Sequence, residues 1–279
     1  MPINSAHPHV LEVFMSTVAV LIPTYKPSWY LRRCLKSIDN QTLPKDKFKV
    51  YIALNGPKDN FEEVIHSALE NTNFNYEFFY IEKAGVSNAR NYLIDNSVEP
   101  FIAFVDDDDV LSSNYLENLL GKSNTQIMGI CNVYNFKNKI TEKLESNMGN
   151  CFNNLRSIEY CKYNKSRKYF SSPCAQIIHR KMIDDIRFDT YLARGEDSLF
   201  MAQISKSIKG LQKTSADTIY YACLRDGSAS RRRVNKKEEL ERILYLLKEY
   251  LRLLFTKGYD KPFILTRIVA TFKQLRNIF

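Results

Sequence analysis

Four consecutive aspartates, Asp106 to Asp109, follow directly on the apolar run Phe101-Ile102-Ala103-Phe104-Val105. The run is bounded by Pro100 on one side and charge on the other, which predicts a short, fully buried strand. Adjacent carboxylates repel, and keeping them ionised near a buried strand end costs free energy. A divalent cation relieves that repulsion, and hard oxygen ligands suit Mg²⁺ or Mn²⁺. In an open α/β sheet the ligand crevice lies at the carboxyl ends of the strands, where this run falls. The competing reading is a solvated acidic turn capping a helix that starts near Ser112. Position at a buried strand end favours the cation.

The segments before the run set its context. Thr17 to Ile22 is a β-branched stretch ended by Pro23, and Phe48 to Leu54 is a second strand that stops at Asn55-Gly56-Pro57. Ser28 begins a helix whose apolar positions Leu31, Cys34, Leu35 and Ile38 follow helical spacing. A helix over 59–70, a strand over 76–81 and a helix capped by Ser87 come next. This alternation predicts a parallel sheet with right-handed crossovers. Beyond Leu120 the pattern loosens. One strand is expected over 126–136, an extended segment over 174–179, a helix over 197–208 and a strand over 217–223. Residues 137–170 are polar, rich in Asn and Tyr, and are left without elements. Two amphipathic helices, 236–255 and 261–278, close the chain around Gly258.

A chain of 279 residues accommodates one large α/β domain or one with an appendage. No uncharged apolar run approaches the roughly 18 residues of a membrane span. Residues 1–16 lack a signal peptide's basic start and apolar centre, and are expected to be a flexible leader, with Met15 a candidate natural start. Six cysteines fit no zinc spacing and are expected to be reduced thiols of a cytosolic protein. The net charge of +9 is concentrated late: residues 221–279 hold 14 Lys and Arg against 6 Asp and Glu. Such a tail points to phosphates, an acidic polymer or an anionic membrane surface.

Four motifs occur in order: Ile22-Pro23-Thr24-Tyr25; Asn55-Gly56; Gly85-Val86-Ser87-Asn88-Ala89-Arg90-Asn91 with the aspartate run; and Gly195-Glu196-Asp197. The ordered set resembles glycosyltransferase family 2, the inverting transferases of GT-A fold. The likeness is dense over 17–120 and thinner over 170–232. It implies an α/β GT-A catalytic domain over 17–232, with a nucleotide-sugar half (17–120) and an acceptor half (121–232). A basic helical extension, 233–279, follows.

The resemblance also assigns roles. Pro23, Thr24 and Tyr25 are expected beneath the nucleotide base, where Tyr25 can stack and Thr24 can hydrogen-bond. Asn55 stands where the family carries the second Asp of an Asp-Asp pair, and Leu54 replaces the first. The Asn55 amide can still pair with uracil, or Asn55-Gly56 is simply a tight turn. Arg90 is expected to meet the donor phosphates or to bridge the aspartates. Asp106 and Asp108 form the metal pair for Mn²⁺ or Mg²⁺, and Asp107 joins the nucleotide-sugar contacts. Asp197 is the expected general base, with Glu196 beside it, against the alternative that Asp197 only caps a helix. Arg225, Ser228 and Arg231 lie in a Leu224–Arg231 segment expected to close over the diphosphate.

The implied activity is transfer of a sugar, with inversion, from a UDP-sugar to a hydroxyl of a glycan acceptor. The implied setting is bacterial surface polysaccharide, with the acceptor on a lipid diphosphate. A sugar-nucleotide pyrophosphorylase is the alternative, but Ile22 to Pro27 lacks its glycine-rich loop. A nucleic-acid binder would explain the basic tail and not the aspartates. The tail stripes Leu240, Ile243, Leu244, Leu247, Leu251 and Phe263, Ile264, Ile268, Phe272 suit an anionic membrane surface. They suit equally packing on the domain or on a second subunit in a homo-oligomer. The first expectation places the protein at the inner face of the cytoplasmic membrane.

Overall fold

The computed structural model describes residues 17–160, 163–225 and 235–276. The first half alternates as its pattern requires: β1 (Val18–Thr24), α1 (Trp29–Asp39), β2 (Phe48–Asn55), α2 (Phe61–Leu69), β3 (Asn75–Ile81), α3 (Val86–Asp95) and β4 (Phe101–Phe104). These four strands lie parallel in the order β3-β2-β1-β4. Every residue of β1 is buried, consistent with a β-branched run covered on both faces. Strand β4 pairs with β1 only from Val18↔Phe101 to Leu21↔Phe104. β1 continues for three residues beyond that register, so the aspartate run leaves the sheet beside Thr24.

The second half extends the sheet and adds a smaller one. Its elements are β5 (Val110–Leu111), α4 (Tyr115–Leu120), β6 (Ile127–Ile130), β7 (Asn132–Phe136), β8 (Leu144–Glu145), α5 (Asn147–Asn154), β9 (Ile158–Tyr160) and α6 (Tyr163–Ser166). Then come β10 (Gln176–His179), α7 (Arg180–Ile183), α8 (Glu196–Ile204), β11 (Gly210–Lys213) and β12 (Ile219–Cys223). The large sheet continues from β4 through β10, β6, β11 and β9, with β10 antiparallel to both neighbours and β11 parallel to β6. The small sheet runs β5-β12-β7-β8.

Four expectations change. The single strand over 126–136 is two strands in different sheets. Cys131 N–H bonds Ala175 in the large sheet, while Asn132 N–H bonds Thr218 in the small one. Helix α3 begins before Ser87: Gly85, at φ +144°, makes the turn that a side chain would resist, and Ser87 is buried inside the helix. Ser112 starts no helix; its hydroxyl accepts from Ile219 N–H, and α4 begins after Asn114. The span left without elements, 137–170, contains β8, α5, β9, α6 and a short 3₁₀ turn, Tyr169–Ser171.

The C-terminal helices α9 (Lys236–Phe255) and α10 (Lys261–Leu275) are separated by Gly258 at φ +95°, and Asp260 caps α10 through Phe263 N–H. Ile243, Leu247, Phe263, Ile264 and Ile268 of the expected stripes join the main core; Leu244, Leu251 and Phe272 stay exposed. Arg267 is buried beneath α10 and donates to Ser171 Oγ and to the carbonyls of Arg167 and Phe170.

Helix α8 is seated by aromatic packing. Phe200 stacks on Phe188 at 3.8 Å and meets the edge of Phe104 of β4 at 6.1 Å. Phe200→Ala removes a fully buried ring, with an expected loss of about 3–5 kcal/mol in urea unfolding. A loss below about 1 kcal/mol would show that this cluster does not seat α8.

Candidate active site

The aspartate run is held from three directions. Thr24 Oγ1 donates to Asp107, fixing the run to the end of β1. Arg225 Nε donates to Asp108 Oδ2 at 2.5 Å, and its guanidinium stacks on Tyr30 at 4.4 Å. Asp109 accepts from Cys223 N–H at 2.7 Å and bonds to the Tyr220 hydroxyl, so strand β12 anchors it. Tyr220 also accepts from Asp106 N–H. Arg33 of α1 donates to the Asp108 carbonyl at 2.9 Å while lying between Trp29 and Phe136. A cleft of about 420 Å³ opens beside Arg225, lined also by Trp29, Tyr30, Arg33 and Lys137.

Arg90 joins this run to the second acidic motif. Its Nη2 donates to Asp106 Oδ1 at 2.9 Å and its Nη1 to Asp197 Oδ1 at 2.5 Å. The guanidinium is buried, with Phe188 beside it at 5.3 Å. It is carried into place because α3 starts at Gly85, whose N–H donates to Asn55 Oδ1 while Asn55 Nδ2 donates to the Thr24 carbonyl. Asn55 thereby ties the ends of β1 and β2 to the start of α3.

Gly195 is the flanking residue of α8, at φ +88°, and Glu196 and Asp197 occupy the first turn. Asp197 therefore does not cap the helix; a left-handed glycine starts it and turns both acids inward. Burial pushes the Asp197 carboxyl up to about 7; Arg90 opposes this, and Glu196 and Asp106 add to it. Glu196 is also raised by burial, against the pull of Arg90 and, more weakly, of Arg242. Burial likewise raises Asp107 to about 7, and raises Asp108 and Asp109, each with help from neighbouring carboxylates.

Of the expected site residues, Thr24, Asn55, Arg90, Asp106, Asp107, Asp108, Glu196, Asp197 and Arg225 form this connected network. Pro23 is buried at the end of β1. Tyr25 is exposed, its ring so close to Gly56 that a Cβ there would meet it at 2.7 Å. Ser228 and Arg231 lie outside the described residues. Tyr220, Cys223 and Arg33 belong to the site although no motif marks them; the strand over 217–223 was legible, its pairing with Asp109 was not.

The donor set suits a hard cation. Carboxylates raised by burial, and further by one another, call for positive charge, and Mg²⁺ needs only one or two of them when phosphates and water complete its shell. Among the described residues, no three His, Cys, Asp or Glu side chains form a ready-made cage.

Removing Arg90 leaves Asp106 and Asp197 without their shared cation, Asp197 being the more enclosed of the two. Arg90→Met is expected to cost about 1–3 kcal/mol near neutral pH, measured by denaturant unfolding. Without Arg90 the Asp197 carboxyl rises further, so the folded protein keeps a proton the unfolded chain has released. The loss should therefore shrink as pH falls from about 8 to about 5. An equal loss at both pH values would rule out this charge account.

Known proteins place the arrangement. The family model "Glycosyl transferase family 2" matches residues 19–187. The minor teichoic acid biosynthesis protein GgaB of Bacillus subtilis is 24% identical over 76% of this chain and 23% of its own length. The Campylobacter jejuni GalNAc(5)-diNAcBac-PP-undecaprenol beta-1,3-glucosyltransferase is 26% identical over 67% of this chain and 59% of its own. The chain thus spans less than two thirds of either relative. The crystal structure of Staphylococcus aureus TarS 1-349 with UDP-GlcNAc superposes with a TM-score of 0.75 at 19% identity, covering 92% of this chain and 73% of that one. The likeness establishes the GT-A fold, and the family match over more than half of the sequence means that the chain belongs to glycosyltransferase family 2.

Proposed function

We propose that this protein is an inverting glycosyltransferase that moves one sugar from a UDP-sugar to a hydroxyl of a glycan acceptor. The acceptor is carried on a lipid diphosphate during assembly of a bacterial surface polysaccharide. The observation that carries the reading is Arg90, which joins Asp106 at the end of β4 to Asp197 in the first turn of α8. A donor site and a base are then two ends of one ion-pair network centred on a buried guanidinium. Family membership sets aside the pyrophosphorylase and nucleic-acid alternatives. The UDP-GlcNAc complex of TarS supports a UDP donor, and the Campylobacter relative's name supports a lipid-linked acceptor.

The donor base lies on exposed Tyr25, over the strand ends that Pro23, Thr24 and Asn55 build beneath it, and Asp107 and Arg90 serve the rest of the nucleotide sugar. Asp108 with Asp106 would hold Mn²⁺ or Mg²⁺, which when bound neutralises charge on the departing diphosphate. Arg225 adds a cation there, joined by Ser228 and Arg231. The acceptor oxygen bonds to the anomeric carbon as the bond to the UDP oxygen breaks on the opposite face. Asp197 takes the hydroxyl proton, and its raised carboxyl is suited to that at neutral pH. Glu196 lies beside it for acceptor contact.

The test is a panel of nucleotide sugars assayed for UDP release, with and without chelator and with Asp108→Ala. Release that needs Mn²⁺ or Mg²⁺ and vanishes in the variant is expected; undiminished turnover with chelator present would remove the metal assignment. Asp197→Asn should lower turnover by on the order of 10²–10⁴ with UDP affinity little changed. In the parent, kcat/KM should fall about tenfold per unit below a limb near pH 7, because the protonated carboxyl cannot accept a proton. Full activity in Asp197→Asn would reject it as the base.

Attachment at the inner face of the cytoplasmic membrane belongs to the same proposal. No helix among the described residues is long and apolar enough to cross a membrane. Exposed Leu244, Leu251, Phe255, Leu265, Val269 and Phe272 are interleaved with exposed Lys248, Arg252, Lys261, Lys273 and Arg276. Each cation near an anionic leaflet contributes about 1 kcal/mol, weakened by salt. Co-sedimentation with anionic but not neutral liposomes is expected; no binding to either would leave these residues as a solvated face.

A further inference from the structure

The acids that the proposed reaction depends on sit in one turn, Arg194 to Asp197, and α9 presses on the outside of it. A Cβ placed on Gly195 would lie 3.0 Å from Leu246 Cδ1 and 3.3 Å from Arg242 Nη1. The φ of +88° and these contacts reinforce each other: the turn needs glycine both for its backbone angle and for the approach of the helix. One turn earlier on α9, Glu239 accepts from Arg194, the residue before Gly195, and from Arg242 Nε at 3.0 Å and Nη2 at 2.5 Å. Arg242 Nη2 also donates to Gln274 of α10 at 2.6 Å, which ties the clamp to the second helix. Tyr245 adds a flanking bond, its hydroxyl donating to Asp189 Oδ2 at 2.6 Å, and its ring lies against Tyr191 at 4.8 Å. The inner side of the same turn is fixed by Arg90 through Asp197.

We infer that Glu239 is a positioning residue for the acceptor-activating turn. Through Arg194 and Arg242 it fixes the start of α8, so the C-terminal helix pair is part of the catalytic apparatus. This rests on the reading of Asp197 as base. Alignment of a base over a breaking O–H bond is sensitive to displacement: a misplacement of about 1 Å from a distant change can cost up to about 10²-fold in rate. Donor binding, which uses the β1, β2 and β4 ends, needs no such alignment. A change at Glu239 therefore lowers kcat and spares UDP affinity, whereas general loosening of the fold would weaken both.

The experiment uses the full chain. Glu239→Gln keeps the shape and removes the charge that both arginines share; Glu239→Asp is the conservative variant, and Glu241→Gln, on the exposed face of the same helix, is the control. Hydrogen exchange is read on the peptide covering 190–199, UDP affinity by calorimetry, and turnover as UDP release from UDP-N-acetylglucosamine with water as acceptor. Glu239→Gln should raise exchange at 190–199 about tenfold, leave UDP affinity within about twofold, and lower kcat about tenfold or more, with Glu239→Asp partly restoring it. In an Asp197→Asn background Glu239→Gln should add little, since the two act through one group. Unchanged exchange at 190–199 overturns the proposal whether or not this donor turns over. So does an undiminished Glu239→Gln effect on kcat in the Asp197→Asn background. Full activity of Asp197→Asn alone would instead overturn the base assignment, with the exchange result still deciding whether α9 holds the turn.

Discussion

The arrangement depends on a single buried guanidinium. Arg90 has few ways to be tolerated in the interior: removal from water disfavours its charge, and Asp197 and Asp106 together offset that cost. The reverse also holds, since neither carboxylate has comparable compensation without it. This mutual requirement fixes three elements against one another, α3 carrying Arg90, the end of β4 carrying Asp106 and the start of α8 carrying Asp197. Those elements are separated by up to 107 positions in sequence. The packing of Phe104, Phe188 and Phe200 beneath them supplies the apolar support on which the buried guanidinium rests.

The first half of the fold was readable because its information is local. Buried strands such as Val18–Thr24 are continuous apolar runs, and α1 shows helical spacing with Ser28 in front of it. The aspartate run advertised itself by charge at a buried strand end. The second half was less legible for physical reasons. Residues 126–136 alternate through Cys131, so nothing in the pattern marks the change of sheet, which depends on Ala175 and Thr218 arriving from elsewhere. The 137–170 span is organised by long-range bonds, such as Ser146 to Val133 and Tyr169 to Cys131, that no spacing reveals.

The acidic motif near the C-terminus shows how two local readings separate once packing is known. From sequence, Asp197 ahead of Ser198-Leu199-Phe200 looks like a helix cap. Gly195 takes that position with a left-handed backbone, and Asp197 becomes the second residue of the helix, where Arg90 meets it. The tail shows a similar division: Ile243, Leu247, Ile264 and Ile268 went into the core, while Leu244, Leu251 and Phe272 did not. Apolar spacing identified the helices correctly, but which stripe faces inward depended on the surface awaiting it.

The small sheet has a thin core of its own, built on Val110, Phe136, Ile219 and Tyr221, yet it holds one side of the acidic run through Tyr220 and Cys223. Regions with few buried apolar contacts open at lower free energy than the global transition. A thinly packed part of the molecule is therefore also a wall of its site. A molecule bound against Asp108 and Arg225 would be felt first as bracing of β5 and β12, so occupancy and local rigidity are two readings of one equilibrium.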